Sequence, residues 1–301
     1  MNKFSLESQL NQRSTKRLFP SYALEVWKYF RKNTLALLGL AVMLILIVCA
    51  ILAPLIAPAG YAEQKYLTEI NAFPSLNHWF GVDAMGRDYF SRVIYGIRVS
   101  LSVGFMTACI ALFIGVPLGA LAGFFSGIID WIIMRLVETF SVIPPLLVAI
   151  LFVTLFGSGL QNVIIILALV SWMDVCRLVR GEILALKERE YSRAAKAIGV
   201  TPYRILFRHL LPNAMAPIIV GMVLCVPNAI MMEASLSFLG VGINPPTPSW
   251  GQMISDGLYY IQFYWHLTLF PAIFLALTVL SLSFIGDGLR DAMDPKLRGR
   301  R

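Results

Sequence analysis

The chain has 301 residues, 58% of them hydrophobic and only 14% charged, which excludes an ordinary water-soluble globular protein and indicates a polytopic membrane protein with little soluble mass. The formal charge of +8 would suit a nucleic-acid partner, but the basic residues lie between and beyond the apolar stretches, and that placement excludes the reading. The four cysteines form no CxxC pair, the three histidines lack metal-ligand spacing, and no GxxxxGK[ST] loop occurs, so neither a metal site, a cofactor site nor an ATP site of that kind is expected in this chain.

In chain order, residues 1–20 read as a loose polar tail. Tyr22 to Lys32 mixes aromatic and basic residues and predicts a helix lying in the headgroup region. Together they make a tail and interfacial helix over 1–33. The first transmembrane helix is expected over 34–58, since 24 apolar residues from Thr34 to Ala57 reach about 36 Å as a helix. An extracytoplasmic loop follows over 59–97, and a five-helix core over 98–290. The second span, Val99 to Phe125, carries Gly115, Gly119 and Gly123 at four-residue spacing, which marks one face for close packing on a neighbouring helix. A polar turn at Asp130 leads to a third span, Ile132 to Phe156, expected to kink at Pro144 and Pro145. The fourth span ends near Val179, with Asp174, Arg177 and Arg180 at helical spacing. Within the core, a basic loop covers 181–213, the fifth span runs from Met215 to Phe238, and a second outer loop covers 241–266. Pro245 to Trp250 predicts a rigid polyproline-like turn with Trp250 at the interface. The sixth span leads to a tail over 291–301.

Charge sets the orientation. Of the 25 Lys and Arg residues, 21 fall in the N-terminal tail, the turn at Arg135, the 177–208 segment and the C-terminal tail; Lys65, Arg87, Arg92 and Arg98 fall on the other side. By the positive-inside rule both termini and the central loop are cytoplasmic. The expected fold is therefore an all-α integral membrane protein of six transmembrane helices, with lipid around it.

The central loop reads as a short helix from Glu190 to Ala197 bearing Ala194 and Ala195, a reversal at Gly199 with positive φ, and a second short helix capped by Thr201 and ended by Pro212. This pattern resembles the E-A-A…G…L-P loop of bacterial ATP-binding-cassette import permeases: Glu190, Ala194, Ala195 and Gly199 match its first half, Leu211 and Pro212 its end, and His209 stands where the general motif has Ile. Tyr191 belongs to the same stretch. Three further stretches resemble the C-type subunit of the dipeptide/oligopeptide (peptide/nickel) branch. They are His78 to Asp88, with Val82 in place of Thr; Leu236 to Gly242 with Pro245, Pro246 and Pro248 to Gly251; and Gly286 to Pro295.

The resemblance implies a permease subunit of an ATP-driven importer of di- or oligopeptides in a bacterial cytoplasmic (inner) membrane. It further implies a homologous second permease, two cassette ATPase subunits that bind the ATP, and an extracytoplasmic substrate-binding protein. The loop would be a coupling helix docked on the ATPase, with Ala194 and Ala195 both against its surface. Nickel or another small solute is an alternative cargo within the same architecture. From other classes, an ion-coupled secondary transporter would need inverted repeats and mid-membrane ionisable pairs, and a structural scaffold leaves the loop spacing unexplained.

Two constellations have both a structural and a functional reading. Asp83, Arg87, Asp88 and Arg92, with Gly86, can be mutually paired charges that fix a loop, or an outer surface that receives the binding protein or gates the path. Glu233 can line a path or outer gate, or be a paired structural carboxylate. Arg135 and Glu138 read as a local ion pair.

Overall fold

The computed structural model describes residues 18–294 and is all-helical among them. The expected loose tail lies mostly outside the described residues. The helices are α1 (Leu18–Phe30), α2 (Thr34–Ile51), α3 (Ala53–Ile56), α4 (Tyr89–Phe125), α5 (Gly127–Ser141), α6 (Pro145–Phe156), α7 (Leu160–Lys187), α8 (Glu190–Ala197), α9 (Pro202–Ile205), α10 (Leu211–Phe238), α11 (Trp250–Leu258) and α12 (His266–Met293). Five segments are long and apolar enough to cross a membrane, the fourth running from Pro202 to Phe238; the number is six if the bent pair α5–α6 is one span.

That pair is broken more sharply than a kink, with its halves at 85°. Two consecutive prolines remove two backbone donors, and Pro145 forces Pro144 out of the helical region, to φ −52° and ψ 130°. Pro145 then opens α6 at its first position, where a missing N–H costs nothing.

The bundle is organised on the α4–α7 pair. The glycine stripe of α4 meets α7 turn for turn: a Cβ on Gly115 would lie 2.7 Å from the Trp172 carbonyl oxygen, on Gly119 2.5 Å from that of Cys176, and on Gly123 2.8 Å from that of Arg180. Side chains of any size would separate the two backbones. On its other side α4 packs with α2, α10 and α12 around Met43, Leu46, Ile97, Leu101, Ile230 and Leu282. Helix α1 docks on the end of α12, burying Val26 and Phe30 against Ala36 and Ala292 while Trp27 stays half exposed, so it serves as a packed strap and not only an interfacial helix.

Several boundaries differ from the sequence expectation. α7 runs past Val179 to Lys187, and α11 stands within the expected outer loop 241–266. α4 begins ten residues before Val99 because Asp88 caps it, accepting from the Ser91 amide at 2.7 Å. Pro212 does not end the helix begun at Pro202. A π-helical turn over Leu206–Leu210 widens the backbone just ahead of it, and α10 continues through Pro212, Pro217 and Pro227.

Candidate functional site

The loop between α7 and α10 has two faces. Glu188 and Lys187 end α7, and α8 begins at Glu190, whose carboxylate stands in the first turn where the helix dipole favours it. Gly199 has φ +78° and closes α8. The Val200 amide donates to the Ala195 carbonyl at 3.1 Å and the Gly199 amide to that of Lys196 at 3.1 Å, the paired bonds of a Schellman ending. Nothing lies within 4 Å of a Cβ placed on Gly199, so its requirement is conformational and not steric. Thr201 occupies the N-cap position of α9 without a side-chain capping bond.

The inner face of this loop belongs to the bundle. Ile205, Leu206 and Leu210 are buried with Val175, Val179, Ile183, Ala214 and Ile218, and Ala195, Val200 and Leu211 pack on that cluster. Ser192 is also buried. Polar ties add to the apolar ones. Arg180 grips Asp130 with two bonds of 2.5 and 2.7 Å, and Lys187 Nζ donates to the Phe124 carbonyl at 2.6 Å and to Ser126 Oγ at 3.1 Å. Tyr203 sets its ring edge against Phe125, with centroids 5.8 Å apart. The loop is thus packed on the ends of α4, α7 and α10, and α5 is tied to α7 through Asp130.

Its outer face has no covering element among the described residues. Tyr191, Ala194, Tyr203 and Phe207 are exposed, and Ile198 is 81% exposed. Glu190, Gly199 and Pro212 are exposed as well, and His209 is half-buried. The two alanines therefore part company: Ala194 faces out, while Ala195 packs largely on its own bundle, against the expectation that both face a partner. Beside them Arg193 reaches Glu188 at 2.7 Å and holds that carboxyl below its usual range.

The opposite end of the bundle is capped by the 59–88 segment and α11. Asp83 is the hub. Its Oδ2 accepts Arg87 Nε at 2.7 Å and faces Arg92 Nε at 3.4 Å, and its Oδ1 accepts the amides of Met85 and Arg87 at 2.8 and 2.9 Å. Arg92 reaches on to the carbonyls of Tyr61 and Pro246 at 3.2 and 3.4 Å, tying three distant segments together. Gly86, at φ +73°, lies against the Leu67 backbone and accepts from the Tyr66 amide at 2.9 Å. The four charged side chains are all buried; Asp83, Arg87 and Arg92 are paired, whereas Asp88 accepts from the amide and hydroxyl of Ser91. A cavity of about 250 Å³ lined by Asp83, Arg87, Arg92 and Asp256 opens beside them, and burial pushes the Asp256 carboxyl up.

Trp250 was expected at the interface and is instead fully buried. Gly96 makes its slot, because a Cβ there would lie 2.9 Å from the indole nitrogen, which donates to the Val93 carbonyl at 3.2 Å. Glu233, 1% exposed, lies directly under this cap. Ser237 Oγ donates to its Oε1 at 2.6 Å, and Ser249, which caps α11, donates to Ser237 at 3.3 Å. Glu233 is thereby linked through hydroxyls to the cap.

Arg135 and Glu138 form their local pair at 3.4 Å, both exposed. Asp174, bonded to Arg177 at 2.7 Å, has a side chain 81% exposed about midway along α7, and Asn228 is exposed near the middle of α10. A charged group at that depth facing lipid costs about 2.5–3.5 kcal/mol even on the lenient insertion scale. A single Asn in the apolar run from Ile218 to Ile230 was the signal available in the sequence.

The sequence and the architecture match known proteins. Residues 115–299 match the family model described as binding-protein-dependent transport system inner membrane component, and residues 21–74 match that of the N-terminal TM domain of oligopeptide transport permease C. The chain is 46% identical over 298 residues to the dipeptide transport system permease protein DppC of Bacillus subtilis (strain 168), covering 98% of this chain and 93% of that protein. It is 42% identical over 281 residues to the oligopeptide transport system permease protein OppC of the same strain, covering 92% of each. Among solved structures, an inward-facing conformation of the MetNI methionine ABC transporter shares the fold, with a TM-score of 0.56 at 21% identity over 67% of this chain and 97% of that one. The chain belongs to the family of binding-protein-dependent transport system inner membrane components.

Proposed function

We propose that this chain is one of two permease subunits of an ATP-driven importer of di- or oligopeptides, with both termini and the 188–211 loop in the cytoplasm. The observation that carries the reading is the two-faced loop. One side is packed on the ends of three spans, α4, α7 and α10, and the other presents Tyr191, Ala194, Ile198, Tyr203 and Phe207 uncovered. A surface of that kind transmits a push from a separate protein into the spans, and the partner proposed is a cassette ATPase. Glu190, Gly199, His209, Leu211 and Pro212 shape the loop for that contact. Support for orientation comes from the 21-to-4 division of basic residues, and for a peptide cargo from the similarity to the dipeptide and oligopeptide permeases. A second homologous permease would complete the path, and a substrate-binding protein would deliver cargo at the Asp83–Asp88 end. Glu233, joined to the cap, would hold that outer end closed between deliveries.

The test is a charge on each alanine, in cells that express the whole importer. Ala194→Glu should leave this chain's thermal stability unchanged while copurified ATPase and peptide uptake both fall. Ala195→Glu should lower stability as well, because its side chain enters the bundle's own cluster. Full ATPase recovery and normal uptake with Ala194→Glu would refute the docking assignment.

A further inference from the structure

A small cavity of about 170 Å³ lies between α4, α7 and α10; its lining is mostly apolar, and its polar side chains are those of Ser171, Asp174, Cys225 and Asn228. Asp174 stands fourteen residues from the start of α7, about 21 Å along the helix, and Asn228 stands seventeen residues from the start of α10, about 26 Å along it. Both therefore sit near mid-bundle, on spans whose other exposed side chains include Ile165, Leu169, Ile219 and Met231. Ser171 and Asp174 of α7 and Cys225 and Asn228 of α10 line the same cavity, so the two helices share one patch of polar side chains. Pro227, just before Asn228, removes the amide that would otherwise bond to the Val223 carbonyl, which adds another acceptor nearby.

The patch is built to receive a cation. The cavity lining contains one carboxylate, an amide, a hydroxyl and a thiol, and no Lys or Arg. The one neighbouring cation, Arg177, is held to one side: one guanidinium nitrogen takes Asp174 at 2.7 Å, and the other takes Ser141 Oγ at 3.0 Å, at the break between α5 and α6. Most of the Asp174 side chain remains uncovered. Lipid is a poor neighbour for such a surface, whereas a water-filled path suits it.

We infer that Asp174, with Asn228 and Ser171, is a transit site on the translocation path that takes the free α-ammonium group of the peptide, with Arg177 holding the carboxylate between passages. The inference rests on the peptide-importer reading above. Transit requires weak, exchangeable contacts, and a carboxylate already satisfied by a neighbouring guanidinium provides them. Arg177 would return to Asp174 as the ammonium leaves, so no uncompensated charge persists in the path.

The experiment uses the complete importer in proteoliposomes, with its binding protein in excess and radiolabelled L-alanyl-L-alanine and tri-L-alanine as probes. Asp174→Asn should lower uptake about tenfold or more, while second permease and ATPase still copurify and loaded binding protein still stimulates ATP hydrolysis. Asp174→Glu, which keeps the charge, should restore most of the rate. With Cys225 as the only cysteine, a cationic methanethiosulfonate should modify it in the turning-over transporter, and excess peptide should slow the reaction. Uptake by Asp174→Asn at the unmodified rate would overturn the inference, as would loss of subunit assembly in that variant, which would make Asp174 a packing contact. A Cys225 inert in every nucleotide state would overturn it too. Absence of peptide uptake by the unmodified importer would instead sink the peptide reading itself, and this inference with it.

Discussion

Gly119 of α4 lies so close to Cys176 of α7 that a Cβ on the glycine would stand 2.5 Å from the cysteine's carbonyl oxygen and 2.9 Å from the Val179 Cβ. Neither atom is the end of a flexible side chain, so the pair can make room only by moving backbones apart. The contact matters because α7 carries the loop at one end and α4 carries the Asp83 cap at the other. Motion at the loop therefore has a rigid route to the far side of the bundle.

Gly119→Ala should destabilise the protein by about 1–3 kcal/mol, the usual range for overpacking. Gly181→Ala, on the same pair of helices but with open space around its Cβ, should be neutral or slightly stabilising through helix propensity. Thermal unfolding of the purified protein in detergent separates the two. Equal melting temperatures for both variants would show that the α4–α7 seam is looser than described.

At the cap, Asp83 and Asp88 are five positions apart in sequence and unequal in consequence. Asp83→Asn strips the counter-charge from two buried arginines and should cost about 3–5 kcal/mol. Asp88→Ala removes a helix cap, worth about 0.5–2 kcal/mol. The ranking is read from melting temperatures of the two variants at one pH, and the reverse order would contradict the hub role of Asp83.

The stripe of Gly115, Gly119 and Gly123 was legible in the sequence because four-residue spacing is a local property of one helix; that α7 is the partner was not. The positive φ at Gly199 was legible for the same reason, lying between two short helical patterns. Failures came where the outcome depends on a distant residue or on a neighbouring turn. Trp250 is buried because Gly96, far earlier in the chain, leaves a slot for it. Pro212 fails to end its helix because the preceding turn widens, and Pro144 breaks its span because Pro145 follows it. Ala195 and Ala194 look alike in sequence, and only the closure of α8 against the bundle turns one inward.

Glu233 offers a sharper test of the cap. Glu233→Gln can still accept from Ser237 and should retain close to normal stability, whereas Glu233→Leu leaves the buried hydroxyl of Ser237 short of its acceptor, at about 1–3 kcal/mol. If the residue also holds the outer end closed, Glu233→Leu should raise ATP hydrolysis in the absence of binding protein. Unchanged melting and unchanged basal hydrolysis in the Leu variant would remove Glu233 from the cap's closing mechanism.

The central claim is that the loop between α7 and α10 faces the cytoplasm and is covered there by an ATPase. A single cysteine at Ile198, its most exposed large side chain, reports both properties at once when treated with a membrane-impermeant maleimide. The account predicts no labelling in right-side-out vesicles, labelling in inside-out vesicles made without the ATPase, and protection when the ATPase is present. Labelling from the outside, or labelling from the inside that the ATPase does not diminish, would contradict it.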